Sequence, residues 1–224
     1  MKWNWKREIL PAAVILATAV LTFVLFPMLP DVVPIHFDAD GKPDSYASKT
    51  TAVLPAIGGT VGIYLLLTFI PFIDPFWKRI QNKYDILLVF RDLAMLFMLF
   101  FYIMTIVAAK EGVFPVRVMG IGMGFLFVLM GNYLPKLPRN WFFGIRVPWT
   151  LASEVVWRKT HALGGWLFVS AGLVIVLLSL FGVNTAISLL ATLLPVVLIV
   201  CFIYPFSLFK RLQKEGNGTS ANTL

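Results

Sequence analysis

Glu154, Trp157 and His161 follow one another at spacings of three and four, so on a helix they share one face. An acid, an indole and an imidazole in a row could move protons, hold a polar headgroup or grip a partner. The residues just before them, LPRNWFFGIRVPWT, add Asn140, Gly144, Arg146, Pro148 and Trp149. Pro138, Gly144 and Pro148 interrupt any regular helix there and favour turns. The stretch from Leu137 to Gly165 is the longest polar break in an apolar second half. With Lys136 it holds five Lys or Arg residues, and it carries three of the seven tryptophans. A helix can start at Thr150, whose hydroxyl suits the N-cap, with Glu154 near the first turn where the helix dipole favours a negative charge. Glu154 also stands four residues before Arg158, the favourable order for an ion pair. Charged and aromatic residues at the mouth of a membrane span commonly serve as anchors. A non-helical segment holding Asn140, Gly144 and Arg146 is more than anchoring requires.

A second polar group lies far upstream, in PDVVPIHFDADGKPDSYASKT, where His36, Asp38, Asp40, Gly41 and Asp44 sit among four aspartates and two lysines. The spacing faintly resembles a calcium loop, but the glycine is misplaced and the closing bidentate glutamate is missing. An Asp-Gly turn with a solvated acidic rim is the simpler reading. His36 and His161 are the two histidines of the chain, and no HExxH-type spacing offers a zinc site. A single cysteine, Cys201, excludes both a disulfide framework and a cysteine-based metal site. Neither a phosphate-cradling glycine loop nor a Ser/His/Asp order is present. The residues therefore predict no catalytic set, no metal and no cofactor, and these two polar groups are the candidate ligand- or partner-binding sites.

The elements that position them are set by composition. Of 224 residues, 59% are hydrophobic and 13% charged, with a mean hydropathy of +0.84. Apolar blocks of roughly 20 residues are long enough to cross about 30 Å of hydrocarbon as helix. The expected fold class is an all-α polytopic integral membrane protein with six transmembrane helices, at about 9–29, 51–73, 86–108, 116–134, 162–181 and 185–209. Ala17-Thr18-Ala19 resembles a signal-peptidase site, but apolar sequence continues beyond it and an uncleaved first helix is the better reading. Gly58/Gly62 and Gly120/Gly124 are small-xxx-small pairs that let another helix approach, in a homo-oligomer among other arrangements. Pro195 is expected to kink the sixth span, and Arg91 to snorkel from the start of the third. The chain reads as one bundle over 1–224: a two-span region 9–73 with outer loop 30–50, middle spans 86–134, a motif with the last two spans over 135–209, and a disordered tail over 210–224.

The net charge of +8 sits at the ends of apolar blocks, which points to membrane orientation and not to direct nucleic-acid binding. The N-terminus, second loop, fourth loop and tail hold three, three, five and three Lys or Arg residues. The opposite loops hold Lys42, Lys49 and Lys110, with Arg117 at a span end. The positive-inside rule then predicts both termini in the cytoplasm, the aspartate-rich loop outside and the 137–165 stretch inside. No acid or base is expected near a span's midpoint, so an ion-coupled transporter lacks its usual mark.

The run Asn140-Trp-Phe-Phe-Gly144-Ile145-Arg146-Val-Pro148-Trp149-Thr150-Leu151, followed by Glu154, Trp157 and His161, closely resembles the central motif of the SdpI family. These are bacterial membrane proteins of the sporulation-delaying-protein immunity type. The loop from Leu29-Pro30 through Pro34-Ile35-His36-Phe37 to Gly41-Lys42-Pro43-Asp44 is similar to the membrane domain of unknown function that often precedes that motif. Val147 stands where family members commonly carry threonine. The resemblance implies a non-enzymatic protein of the bacterial cell membrane that gives immunity to a secreted toxic peptide. It also implies signalling, by holding a transcriptional repressor at the membrane. The outer loop around His36 to Asp44 would meet the peptide. The stretch from Asn140 to His161 would be the inner readout, with Arg146, Glu154, Lys159 and the tryptophans as contacts to the repressor or to membrane lipids. A membrane enzyme or lipid-handling protein with an inner polar site, and a small transporter, are the rival readings of the same residues.

Overall fold

A computed structural model describes residues 4–221, the last six of them as backbone only. Among the described residues, six helical segments are long and apolar enough to cross a membrane: Trp5–Met28, Lys49–Ile73, Trp77–Glu111, Val116–Lys136, Glu154–Leu180 and Thr185–Glu215. The protein is an all-α polytopic membrane protein. Its helices are α1 (Ile9–Leu25), α2 (Lys49–Val53), α3 (Pro55–Phe69), α4 (Trp77–Ile80), α5 (Tyr84–Glu111), α6 (Val116–Tyr133), α7 (Pro148–Ala152), α8 (Glu154–Leu180), α9 (Thr185–Leu198) and α10 (Tyr204–Ala221). Among the described residues, one pair of strands stands among the helices. The expected outer loop is a hairpin, β1 (Val32–Phe37) antiparallel to β2 (Pro43–Ser48). Pro34 weakens the strand signal in sequence, but a two-stranded ribbon has only edges, where proline is tolerated.

Glycines set the tightest helix pair. A Cβ on Gly172 would lie 2.5 Å from the Gly124 carbonyl oxygen, and one on Gly131 would lie 2.8 Å from that of Gly165. The backbones of α6 and α8 therefore touch, as small residues allow in lipid. The partner of the Gly120/Gly124 face is thus a helix of the same chain. Gly58 and Gly62 meet nothing within 4 Å and leave an open strip on α3.

The third span differs from expectation. Arg91 does not snorkel: it is fully buried. Its guanidinium bonds Glu8 (3.1 Å), Asp92 (2.9 Å), the Thr68 hydroxyl (3.2 Å) and the Arg7 carbonyl (2.8 Å), and lies 5.4 Å from the centre of the Tyr64 ring. Five donors in a fixed fork need fixed acceptors once removed from water, and two carboxylates supply the charge. The ion cluster clamps the start of α1 to α3 and α5.

The fifth span also begins earlier. No proline or β-breaking turn falls between 154 and 180, so α8 is continuous and carries Trp157 and His161 as its own first turns. Pro195 is followed by a π-helical turn, Ile199–Ile203, which locally widens the sixth span. Composition predicts disorder from residue 210, yet α10 runs on to Ala221, with Arg211 paired to Glu215 one turn later at 2.8 Å. Lys2 and Trp3 of the basic start, and residues 222–224 of the tail, lie outside the described residues.

Candidate functional site

The two polar groups occupy opposite ends of the bundle, and each is built by local hydrogen bonding. At one end, Asn140 organises the WFFG turn. Its side-chain oxygen accepts from the amides of Phe142 (2.9 Å) and Phe143 (2.6 Å), while its amide donates to the carbonyls of Pro138 (2.8 Å) and Phe143 (3.1 Å). Asn140 is fully buried with its capacity used, so it is a scaffold residue. The chain then reverses at Gly144, whose φ of +92° is left-handed backbone open to glycine. A Cβ there would collide with the His161 ring at Nε2.

His161 is buried and fully engaged. Its Nε2 accepts from the Ile145 amide at 3.0 Å, which places the proton on Nδ1, and Nδ1 donates to the Trp157 carbonyl at 2.9 Å. The ring stacks on Trp157, centroids 3.9 Å apart, and the buried indole donates to the Leu137 carbonyl at 3.0 Å. Two turns of α8 thus hold both ends of the 137–145 loop. Neither ring nitrogen is left for a substrate.

Thr150 does not cap the long helix. It sits inside α7, where its hydroxyl donates to the Ile145 carbonyl (2.8 Å) and accepts from the Val147 amide (3.0 Å). Ser153 is the N-cap of α8 instead. The reason is Ala152-Ser153: the chain extends at Ser153 (φ −133°, ψ 125°) and α7 ends there. Glu154 falls in the first turn of α8 as expected, but it does not share the Trp157/His161 environment. It is exposed and faces Arg139 at 3.3 Å, an ion contact without hydrogen-bond alignment, and not Arg158. Arg139 also donates to the Leu151 carbonyl and lies over the Phe76 ring.

Of the expected contact residues, Arg146, Pro148, Glu154 and Lys159 are exposed at this end. Arg146 donates to the Trp141 carbonyl at 2.8 Å, and Trp149 packs edge-on against Phe206 of α10. A residue that sequence reasoning passed over ties the loop to the rest. Asp74, buried between α3 and α4, accepts from the amides of Phe76 and Trp141, both at 2.7 Å. The signal was an aspartate before proline at the edge of an apolar block, the pattern of an Asx turn.

At the opposite end, the hairpin tip is tethered to both other connections. The Phe114 amide donates to the Gly41 carbonyl (2.8 Å), and the Asn184 side chain donates to Asp40 (3.3 Å). Gly41 is buried with φ +83°, and Phe37 packs on Phe114 at 5.0 Å between centroids. Asp38 accepts from the amides of Asp40 and Lys42, both at 2.9 Å, which forms the turn. His36 and Asp44 bond at 2.6 Å on the exposed face, across a register irregularity in β1. Among the described residues, no three His, Cys, Asp or Glu side chains converge to hold a metal.

With this geometry in place, comparison with known proteins shows what the chain is similar to. Residues 136–207, which run from the WFFG turn to the π-turn, match the SdpI/YfhL protein family. Residues 13–59, comprising most of α1, the hairpin and the start of α3, match a domain of unknown function, DUF1648. Over 209 residues, the chain is 22% identical to Immunity protein SdpI of Bacillus subtilis (strain 168), covering 93% of this chain and 98% of that protein. No solved structure matches. The segment similar to SdpI/YfhL supplies the 137–147 loop, α7, α8 and α9, and the DUF1648 segment supplies the hairpin bonded to Asn184 at the far end of α8.

Proposed function

We propose that this protein confers immunity on a bacterial cell membrane against a secreted antimicrobial peptide, and that it reports the peptide by holding a cytoplasmic repressor. What carries the reading is the division of polar residues between the two ends of one bundle. The hairpin end presents Asp38, Asp40 and Asp44, whereas the other end gathers Arg139, Arg146, Arg158 and Lys159. Lys and Arg are retained on the cytoplasmic side of bilayers, so the hairpin faces outward and both termini face inward. An acidic outer face attracts a cationic peptide, and a basic inner face suits an acidic protein patch or anionic lipid.

The full-length similarity to an immunity protein supports this reading. So does the state of His161: a buried imidazole with both nitrogens committed to backbone partners is poorly placed for acid–base work, which weighs against an enzyme at the inner face. Continuous α8 joins the two ends, running from Glu154 beside the inner loop to Leu180, four residues before Asn184. A load on the hairpin therefore has a rigid path inward.

A killing assay tests it. Cells expressing the protein are expected to survive a cognate secreted peptide, and Arg146→Ala should lower survival with membrane levels unchanged. Unaltered killing of expressing cells across candidate peptides refutes immunity. Labelling of Asp40→Cys and Glu154→Cys in a Cys201→Ser background should mark opposite faces, and labelling from one face alone refutes the topology.

A further inference from the structure

Below the hairpin lies a cavity of about 610 Å³, within the roughly 300–1,000 Å³ range of ligand pockets. Its walls come from β1, the start of α3, the second half of α5 and the first turns of α9. The wall is apolar in effect as well as in composition. The hydroxyls of Thr60, Thr105 and Thr185 donate to the carbonyls of Ala56, Tyr102 and Val116, and the Tyr102 hydroxyl is bonded to Thr22. No hydroxyl donor in the wall is left to satisfy a polar headgroup, so whatever enters does so with an apolar part.

The mouth has the opposite character. His36 and Asp38 line it, and Asp40 and Asp44 stand exposed on the same hairpin. Lys49 is taken up by Asp31 at 3.0 Å and Asp44 bonds His36 at 2.6 Å. Lys42 stands with Asp38 and Asp40 on the hairpin, and with Lys110, Glu111 and Arg117 of the neighbouring connection this end carries five acids against four Lys or Arg. An anionic phospholipid would bring like charge to this rim. A chain with apolar side chains and a positive group beside them is complementary to both parts.

We infer that this cleft is the docking site for an amphipathic cationic peptide, its apolar face in the cavity and its positive groups against Asp38 and Asp40. The inference rests on the immunity reading for the source of the peptide, and on the cleft for its chemistry.

The test uses the full chain in nanodiscs of zwitterionic lipid. The probes are a dye-labelled synthetic Lys/Leu amphipathic helical peptide and its Gln/Leu counterpart, followed by fluorescence anisotropy. The Lys/Leu peptide should bind more tightly than the Gln/Leu peptide. Asp38→Asn keeps the turn acceptor and removes the charge, so it should weaken binding by about two- to fivefold at low salt. Ala186→Trp, from an exposed wall position on α9, should fill the cavity and weaken binding at least about tenfold. Ala52→Leu fills it from α2 and serves if the tryptophan variant misfolds. Equal binding by wild type and both filled variants overturns the cleft, as does displacement of the peptide by added anionic phosphatidylglycerol, which would make it a lipid site. The two readings fail separately. Peptide binding without protection in the killing assay sinks immunity and leaves the cleft, whereas protection unaffected by Ala186→Trp and Ala52→Leu sinks the cleft and leaves immunity.

Discussion

Gly144→Ala isolates the contact on which the 137–145 loop depends. At φ +92° an L-residue pays a conformational penalty of about 1–2 kcal/mol before any neighbour is considered. The added methyl then meets the His161 ring at Nε2, with Leu137 Cδ1 at 3.1 Å on its other side. His161 cannot yield without releasing the Ile145 amide, and an orphaned buried donor adds roughly 1–3 kcal/mol. The sum is about 2–5 kcal/mol, a large share of the roughly 5–15 kcal/mol that holds a typical domain together. Reversible unfolding of the detergent-solubilised protein by SDS titration reads that difference. The cycle with His161→Ala sharpens it. Once the ring is gone the methyl has room, so the double variant should be destabilised by at least about 1 kcal/mol less than the sum of the single effects. A Gly144→Ala protein within about 0.5 kcal/mol of wild type, or strictly additive single effects, would refute the contact and the scaffold role of His161 with it.

Three further outcomes follow from the same packing. Arg91→Met leaves the part-buried Glu8 and Asp92 carboxylates without their cation and should destabilise by about 1–3 kcal/mol. A triple variant with Glu8→Gln and Asp92→Asn should recover much of that loss, again by SDS titration. Asp74→Asn can no longer accept from both the Phe76 and Trp141 amides and should cost about 1–3 kcal/mol. Hydrogen exchange at residues 139–147 is expected to quicken, and unchanged protection there would count against the tether. Gly172→Val drives a side chain into the Gly124 carbonyl and should reduce folded yield, whereas Gly62→Ala faces open space and should be neutral. Equal yields would mean that α6 and α8 are not held as described.

The sequence by itself determined the class of the protein and the segments that matter. Apolar blocks matched to bilayer thickness fix the number and order of spans, because backbone polar groups in lipid must be bonded within a helix. The LPRNWFFGIRVPWT and HFDADGKPDS runs stood out because polar and breaker residues are expensive beside a membrane. Their types marked them as built sites. Periodicity also placed Glu154, Trp157 and His161 on successive turns of one helix.

Only the tertiary structure decided which of those residues are scaffold and which are surface. Trp157, His161 and Asn140 are buried because their polar atoms find partners on the 137–145 loop, a pairing that no spacing in the chain announces. Glu154 turns to Arg139, 15 residues away along the chain, and not to Arg158 one turn on. Arg91 and Glu8 are 83 residues apart, and nothing local shows that a charge inside an apolar block has a counter-ion on another helix. The glycines of α6 look ready for a second copy until α8 is seen to occupy them. Local pattern records what a segment can do in a bilayer, while burial and pairing depend on which helix the bundle brings beside it.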